Sequence, residues 1–173
     1  SVEAIETYEA IHGEELTKLS VQELIDCSYK DNGCYGGSMV NGISFIETHK
    51  TWAKEKDYEY TEKKGSCADG KKVDKVDITA RYWRRVGGTV ALSEEVKRTA
   101  PAAAAATQVW NTYKSGTLSY CPGVPNQGVQ VVGMKANGEW IVRNSHGKDF
   151  GEKGFITLAR GNTCGIASDI VVP

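Results

Sequence analysis

The feature that most constrains this chain is residues 139–156, which read Glu-Trp-Ile-Val-Arg-Asn-Ser-His-Gly-Lys-Asp-Phe-Gly-Glu-Lys-Gly-Phe-Ile. The apolar run at residues 140–142 predicts a strand, and Asn144 and Ser145 follow it at the start of a loop that contains three glycines. Loops of this kind, held by a rigid scaffold, often present polar side chains to a ligand. The pattern alone also fits a β-hairpin with a long loop.

Length and charge narrow the class of protein. The chain has 173 residues, enough for one sizeable core or for two small lobes that share one, and its 40% apolar and 25% charged content is ordinary for a globular protein. A net charge of -1 gives no basic patch for nucleic acid or for a membrane surface. No apolar run approaches the length that spans a bilayer. We therefore expect no nucleic acid and no membrane as partners.

The cysteines indicate disulfide bonds. The chain contains Cys27, Cys34, Cys67, Cys121 and Cys164. Their spacing does not match a Cys-x-x-Cys metal site, and only three histidines accompany them, so we expect no metal and no cofactor. A disulfide framework with one cysteine left over is the favoured interpretation. Five reduced thiols in a cytosolic protein are the alternative, because cytosolic chains rarely keep disulfides.

Three blocks of sequence resemble the papain-like cysteine peptidases, and the cathepsins among them. Residues 140–154 are similar to the family's Trp-Ile-Val-Lys-Asn-Ser-Trp-Gly loop and the Trp-Gly-Glu-Lys-Gly-Tyr-Ile that follows it. Residues 19–37 contain Leu-Ser-Val-Gln-Glu-Leu-Ile-Asp-Cys-Ser and Asn-Gly-Cys-Tyr-Gly-Gly, in which Val21 is similar to the cathepsin O branch. Residues 126–133 form the third block.

This resemblance implies an α+β fold with two lobes and a groove between them. A helical lobe would cover residues 1–78 and an antiparallel β-barrel lobe residues 79–173. The boundary is placed where the apolar period changes from helical to alternating, around residues 76–80. In the first lobe, helical spacing of apolar residues predicts helices near residues 2–11 and 39–46, and Ser20 with Glu23 has the pattern of a capping box.

Two segments of the second lobe carry separate expectations. The run Ser-Glu-Glu-Val at residues 93–96 predicts a short helix capped by Ser93. Residues 102–106 are all alanine, in a place where the resemblance implies a barrel strand, although alanine favours helix over strand. Either this strand packs thinly or the alanines are not the true side chains.

The catalytic residues of the family are a cysteine, a histidine and an asparagine. The resemblance assigns Asn144 as the orienting residue and places Gln127 where the family has the histidine that takes the thiol proton. An amide can hydrogen-bond but cannot accept that proton near neutral pH. The family's nucleophilic cysteine would lie a few residues before Ser1, and the sequence begins too late to include it. We therefore predict a catalytically inactive homologue.

His146 leaves a second possibility open. It stands where the family has a tryptophan that shields the asparagine from water, so it would bring an imidazole near the cleft. A polar surface histidine is the favoured interpretation, because a base must also reach the thiol in the right geometry. The alternative function is an active cysteine endopeptidase whose cysteine-bearing segment lies outside these residues, with Gln127 and His146 wrongly assigned.

The resemblance also assigns peptide binding to Gly36, Gly37, Ser38, Met39, Ala105, Asn126, Gly128, His146 and Asp169. Gly37 would pair with the main chain of an extended peptide as an added strand does, although adjacent glycines also mark ordinary turns. Asp169 would lie at the floor of the specificity pocket and favour Arg or Lys, and an ordinary surface acid is an equal alternative. The expected partner is a peptide, or a protein substrate or inhibitor, in the groove.

The disulfide pairing and the compartment follow from the same resemblance. It implies the pairs Cys27–Cys67 and Cys121–Cys164, and it matches Cys34 to a cysteine whose partner lies upstream of the catalytic cysteine. Cys34 is therefore expected to be unpaired in this chain, and a further segment bonded to it would favour the active alternative. Disulfides persist in oxidising compartments, so we expect a secreted or a lysosomal or vacuolar protein.

Overall fold

The computed structural model describes residues 1–68, 73–80 and 82–173. They form two compact units, Ser1–Trp83 together with Pro173, and Arg84–Val172. The division falls after Trp83, whereas the change of sequence period had placed the boundary after Ile78. Ala80 lies after the predicted boundary and is fully buried in the core of the first unit, which explains why the residues that follow Ile78 stay with that unit.

The first unit is mainly helical. Its helices and strands are α1 (Val2–Ile11), α2 (Val21–Cys27), α3 (Met39–His49), β1 (Thr51–Ala53) and β2 (Lys75–Asp77), with a short 3-10 helix at Gly33–Tyr35. Both helices predicted from apolar spacing, α1 and α3, are present. Their apolar faces bury Ile5 and Ile46 against Trp52, and the Trp52 indole donates to the carbonyl of Ser20 at 2.9 Å. β1 and β2 pair antiparallel.

The capping box at α2 is half formed. The Ser20 hydroxyl accepts from the Glu23 amide at 2.9 Å, as the sequence predicts. The Glu23 carboxylate does not return to Ser20, whose own amide donates to the carbonyl of Ala53. It accepts instead from the Ala53 amide at 2.8 Å and forms an ion pair with Lys75 at 2.6 Å. Glu23 thus fastens α2 to β1 and β2.

The second unit is built on one sheet. Its elements are β3 (Arg84–Val86), α4 (Thr89–Glu95), β4 (Ala102–Ala105), β5 (Thr117–Leu118), β6 (Gln127–Met134), β7 (Trp140–Arg143), β8 (Phe155–Leu158) and β9 (Ile170–Val172), with 3-10 helices at Trp110–Thr112 and Thr163–Gly165. The strand order is β3-β9-β4-β6-β7-β8-β5. The α+β class is confirmed. The sheet is mixed, because β5 runs parallel to β8, whereas the resemblance implies antiparallel strands throughout.

The alanine run is a central strand. β4 pairs with β6 on one side and with β9 on the other, so its backbone groups are satisfied by two neighbours. Ala103 and Ala105 are fully buried, and the aromatic and branched residues Trp110, Ile156 and Ile170 fill the same core. Pairing and burial here outweigh the helix preference of alanine.

The helix predicted to begin at Ser93 begins earlier. α4 starts at Thr89 behind Gly88, which has φ +98°, a conformation that glycine adopts without strain. Ser93 lies inside the helix and its hydroxyl donates to the carbonyl of Val90 at 2.8 Å, so it is not a cap. The prediction from the Ser-Glu-Glu pattern was wrong because a serine hydroxyl can donate to a carbonyl of the preceding helical turn as well as cap a helix start.

Each unit contains one disulfide, and the two bonds are the implied pairs. Cys27 bonds to Cys67 in the first unit and Cys121 to Cys164 in the second. Cys34 is exposed and is the free cysteine among the described residues. No helix in the described part of the chain has the length and hydropathy needed to cross a bilayer.

Candidate functional site

Gln127 and Asn144 are in direct contact in the second unit. Gln127 is the first residue of β6, and Asn144 directly follows the neighbouring antiparallel strand β7. The Gln127 side-chain nitrogen Nε2 donates to Asn144 Oδ1 at 2.7 Å. Asn144 is buried, and its Oδ1 also accepts from the Ser145 amide at 2.9 Å. The Asn144 main-chain amide donates to the carbonyl of Gly154 at 3.0 Å, so both the main chain and the side chain of Asn144 are held by hydrogen bonds.

Thr107 holds the other end of the Gln127 amide. The Thr107 hydroxyl donates to Gln127 Oε1 and lies at the same distance, 3.1 Å, from Asn126 Oδ1. The Thr107 amide donates to Asn126 Oδ1 at 2.9 Å, and the Asn126 amide donates to the carbonyl of Ala105 at 3.0 Å. The Gln127 side chain is therefore oriented by a donor and an acceptor at once.

Thr107 was not identified from the sequence. It lies two residues beyond the alanine run, and its contact with Gln127 depends on the register of β4 and β6. In that register Ala105 is opposite Gln127 and Ala104 is opposite Gly128. The predicted residues Ala105, Asn126, Gln127 and Gly128 are therefore neighbours. Two polar partners twenty residues apart leave no local sequence signal.

His146 is exposed at the edge of this group. Its ring centroid lies 6.0 Å from that of Phe150, which in turn lies 6.4 Å from the ring of Trp110. The described contacts of the His146 ring are with Phe150, and they do not include Gln127 or Asn144. The other two histidines, His12 and His49, are in the first unit and bond to carbonyls of their own helices.

Asp169 forms an ion pair. Its Oδ1 accepts from Arg85 Nε at 2.6 Å, and about two thirds of the Arg85 side chain is exposed (63%). The pair links β3 to the residue just before β9. The hydrogen bond and the charge of Asp169 raise the pKa of Arg85. The carboxylate that was expected to select Arg or Lys in a ligand thus already has an arginine partner within the chain.

The remaining predicted residues, Gly36, Gly37, Ser38 and Met39, belong to the first unit. Gly36, Gly37 and Ser38 connect the 3-10 helix to α3, whose N-cap is Ser38, and Met39 is the first residue of α3. Gly36 has φ +107°. Asp31 contacts this segment, because its Oδ1 accepts from the Ser38 amide at 2.9 Å. No sequence signal had marked Asp31.

Asp31 is also bonded to the elements on either side. Its Oδ2 accepts from the hydroxyl of Ser28 at 2.7 Å, and its Oδ1 accepts from Asn41 Nδ2 at 3.1 Å. Burial opposes ionisation of Asp31, but the hydrogen bonds from Ser28, Ser38 and Asn41, with the charge of Lys64, hold its pKa below the ordinary value. Asp31 is therefore a charged acceptor near neutral pH.

The chemistry available at Gln127, Asn144 and Thr107 is hydrogen bonding. Gln127, Asn144 and Thr107 offer amide and hydroxyl groups, and none of these exchanges a proton near neutral pH. Within the described residues, no group of three or more His, Cys, Asp or Glu is arranged to hold a metal ion. The arrangement can therefore hold polar groups in a fixed orientation, but it cannot transfer a proton near neutral pH.

Comparison with known proteins identifies the family. The family described as "Papain family cysteine protease" matches residues 1–173. "Cathepsin L 1" of Paramecium tetraurelia is 37% identical over 153 residues, which cover 87% of this chain and 48% of that protein. "Cathepsin O" of Homo sapiens is 29% identical over 191 residues, which cover 98% of this chain and 56% of that protein. The chain spans about half the length of the curated relatives it matches.

Solved structures of cysteine proteases have the same fold as this chain. A cysteine protease of Carica candamarcensis in complex with E-64 superposes with a TM-score of 0.91 at 25% identity and covers 99% of this chain and 84% of that one. The bromelain protease of Ananas comosus in complex with the E64 inhibitor gives a TM-score of 0.89 at 30% identity. The match covers 99% of this chain and 85% of that one. Sequence and fold lead to one conclusion: this chain belongs to the papain family of cysteine proteases.

Proposed function

We propose that this protein is a papain-family homologue that binds extended peptides without hydrolysing them. The observation that carries the proposal is the 2.7 Å hydrogen bond from Gln127 Nε2 to Asn144 Oδ1. In the active enzymes that the sequence resembles, an imidazole takes this place and moves the proton between thiol and leaving amine. Gln127 supplies the donor that the asparagine needs and lacks the base.

The surroundings of Gln127 support this assignment. Thr107 fixes Oε1 and Asn144 fixes Nε2, so the amide is held in one orientation. A held amide keeps a donor to Asn144 and removes the proton transfer. Loss of a proton-transfer group typically lowers the rate by a factor of about 10² to 10⁴. The peptide main chain would dock along Gly36 and Gly37, as the resemblance implies.

The alternative is an active cysteine endopeptidase whose nucleophile lies outside these 173 residues. It is supported by the match to about half the length of the relatives, 48% for the Paramecium protein, and by Cys34, which has no disulfide partner among the described residues. This alternative also requires a base. His146 is the imidazole of the second unit, and its described contact is with Phe150.

We further propose that the protein is secreted or resides in a lysosome or vacuole. The two disulfides, Cys27–Cys67 and Cys121–Cys164, support an oxidising compartment.

The test uses the complete protein as it is produced in its host. Hydrolysis of fluorogenic peptides is measured in the presence of a mild thiol reductant, and binding of the same peptide sequences is measured by fluorescence anisotropy. We expect binding without turnover. Turnover that is abolished by a thiol alkylator would overturn the proposal.

Two variants separate the possibilities. In Gln127→His the base is restored, so turnover that appears in this variant alone supports Gln127 as the inactivating residue. In His146→Ala the remaining imidazole of the second unit is removed, so loss of a wild-type activity in this variant supports the endopeptidase. Absence of peptide binding by the wild type would exclude the peptide-binding role.

A further inference from the structure

Asp31 connects the end of one helix to the start of the next. Ser28, the C-cap of α2, is almost fully buried and its amide donates to the carbonyl of Leu24. The Ser28 hydroxyl donates to Asp31 Oδ2 at 2.7 Å, while Asp31 Oδ1 accepts from the amide of Ser38, the N-cap of α3, at 2.9 Å. Asn41, in the first turns of α3, donates to the same oxygen at 3.1 Å.

The segment between these anchor points contains two adjacent glycines. Glycine has the largest conformational freedom of any residue, so Gly36 and Gly37 would move unless other contacts fix them. The Asn32 amide donates to the carbonyl of Gly36 at 2.9 Å, which closes the turn on one side. The bond from Ser38 to Asp31 fixes the other side.

Asp31 also packs directly on Gly37. A Cβ atom at Gly37 would lie 2.5 Å from Asp31 Oδ1 and 2.8 Å from Asp31 Cβ. The carboxylate therefore occupies the space that a side chain at position 37 would need. One residue accounts both for the requirement for glycine at 37 and for the position of the Ser38 amide.

We infer that Asp31 is a positioning residue that holds the Gly36–Gly37–Ser38 main chain in the form that docks an extended peptide. This inference rests on the proposed function, in which a peptide pairs with the main chain at Gly37. A preformed edge binds a peptide more tightly than a mobile one, because the ordering cost is already met in the free protein. Asp31 acts through Gly37 and Ser38 and need not touch the peptide.

The experiment compares two peptides on the complete protein. One is a peptide that the wild type binds, and the other carries an N-methyl group at the main-chain nitrogen whose methylation weakens wild-type binding most. Asp31→Ala is expected to weaken the parent peptide about tenfold and the methylated peptide much less, because the methylated peptide has already lost the main-chain pairing. Asp31→Asn keeps one oxygen acceptor and the side-chain volume. Its affinity for the parent peptide is expected to lie between those of the wild type and of Asp31→Ala.

Asp26 provides a matched control. It accepts hydrogen bonds from Gln22, the Tyr58 hydroxyl and the Gly65 amide, so it holds as many groups as Asp31 but does not contact residues 36–38. Asp26→Asn is expected to lower the urea midpoint and leave the affinity for both peptides unchanged. Hydrogen exchange at the Ser38 amide is expected to be faster in both Asp31 variants and unchanged in Asp26→Asn.

The outcomes distinguish the inference from the proposed function. If the wild type binds no peptide, the proposed function fails and the inference fails with it. If the wild type binds and Asp31→Ala, which has no side-chain acceptor, matches it on both peptides, the inference alone is overturned. An equal loss for the parent and the methylated peptide would assign Asp31 a general structural role and would also overturn it.

Discussion

Glu9 on α1 holds Thr79, seventy residues further along the chain, by two hydrogen bonds. The Thr79 amide donates to Glu9 Oε1 at 2.9 Å and its hydroxyl donates to Oε2 at 2.7 Å. The Ala80 amide donates to Oε1 as well, at 2.9 Å. Glu9 is itself buried, with 7% of its surface exposed, so the end of the first unit is fixed by an internal carboxylate.

We expect Glu9→Ala to destabilise the protein strongly. The change leaves the amide of the buried Ala80, and that of the exposed Thr79, without their acceptor, and an unsatisfied buried donor such as the Ala80 amide costs about 1–3 kcal/mol. The free energy of unfolding, measured by urea denaturation, should fall by an amount in or above that range. Glu14→Ala, at an exposed glutamate nearby in the chain, should change it by less than about 0.5 kcal/mol. Equal effects of the two variants would contradict the assignment.

A second prediction concerns Glu47 on α3 and the pH dependence of stability. Burial raises the pKa of Glu47 from 4.5 to about 6. Its Oε1 has no hydrogen-bond partner in the described part of the chain. Because the folded pKa is above the unfolded one, the folded protein binds this proton more tightly. The stability that Glu47 contributes is complete below its unfolded pKa and is lost as the pH rises through about 6.

Glu47→Gln should remove this pH dependence, because the amide stays neutral. Near pH 7 the variant should be more stable than the wild type by about 1 kcal/mol, after allowance for solvent screening of a partly exposed side chain. Below the unfolded pKa the two proteins should be equal. The measurement is the urea midpoint of both proteins as a function of pH. A constant difference at every pH would show that ionisation of Glu47 is not its cause.

The sequence was informative where the signal was local. Apolar spacing predicted α1 and α3, and the serine hydroxyl at Ser20 caps α2 as its pattern indicates. The strand before Asn144 and the loop after it were read from one continuous stretch of residues. Each of these elements is specified by residues within a few positions of one another.

Contacts between distant residues were missed. Thr107 reaches Gln127 across the pairing of β4 with β6, and Asp31 reaches Ser38 around a turn of glycines. Glu23 has the pattern of a capping box, but a lysine fifty-two residues away and a strand amide bind its carboxylate instead. The choice among several available donors depends on the folded arrangement, which the pattern of residues does not contain.

A third prediction concerns the ion pair of Asp169 and Arg85. A basic ligand side chain that reached Asp169 would have to compete with Arg85, which is already bonded at 2.6 Å. Arg85→Ala should therefore raise the affinity for a lysine-containing peptide by about two- to fivefold, the range typical of an exposed pair. The affinity for the same peptide with norleucine in place of lysine should not change. Both are measured by anisotropy on the complete protein.

Asp169→Ala tests the carboxylate partner of the same ion pair. If the carboxylate selects basic ligands, its removal should weaken the lysine peptide and leave the norleucine peptide alone. An equal loss for both peptides would exclude Asp169 as a specificity residue and leave it as a surface acid that links β3 to β9.

The last prediction uses two neighbouring alanines of β4. Ala103 is fully buried opposite Val129 and Ile170, whereas Ala104 is partly exposed opposite Gly128, which has no side chain. Valine favours strands, so Ala104→Val should keep or raise the free energy of unfolding, by up to about 1 kcal/mol. Ala103→Val adds two methyl groups to a filled core and should cost about 1–3 kcal/mol. Urea denaturation of the two variants and the wild type measures both changes in the free energy of unfolding. Stabilisation by Ala103→Val would mean that the core has unfilled space there and that the alanine run packs thinly.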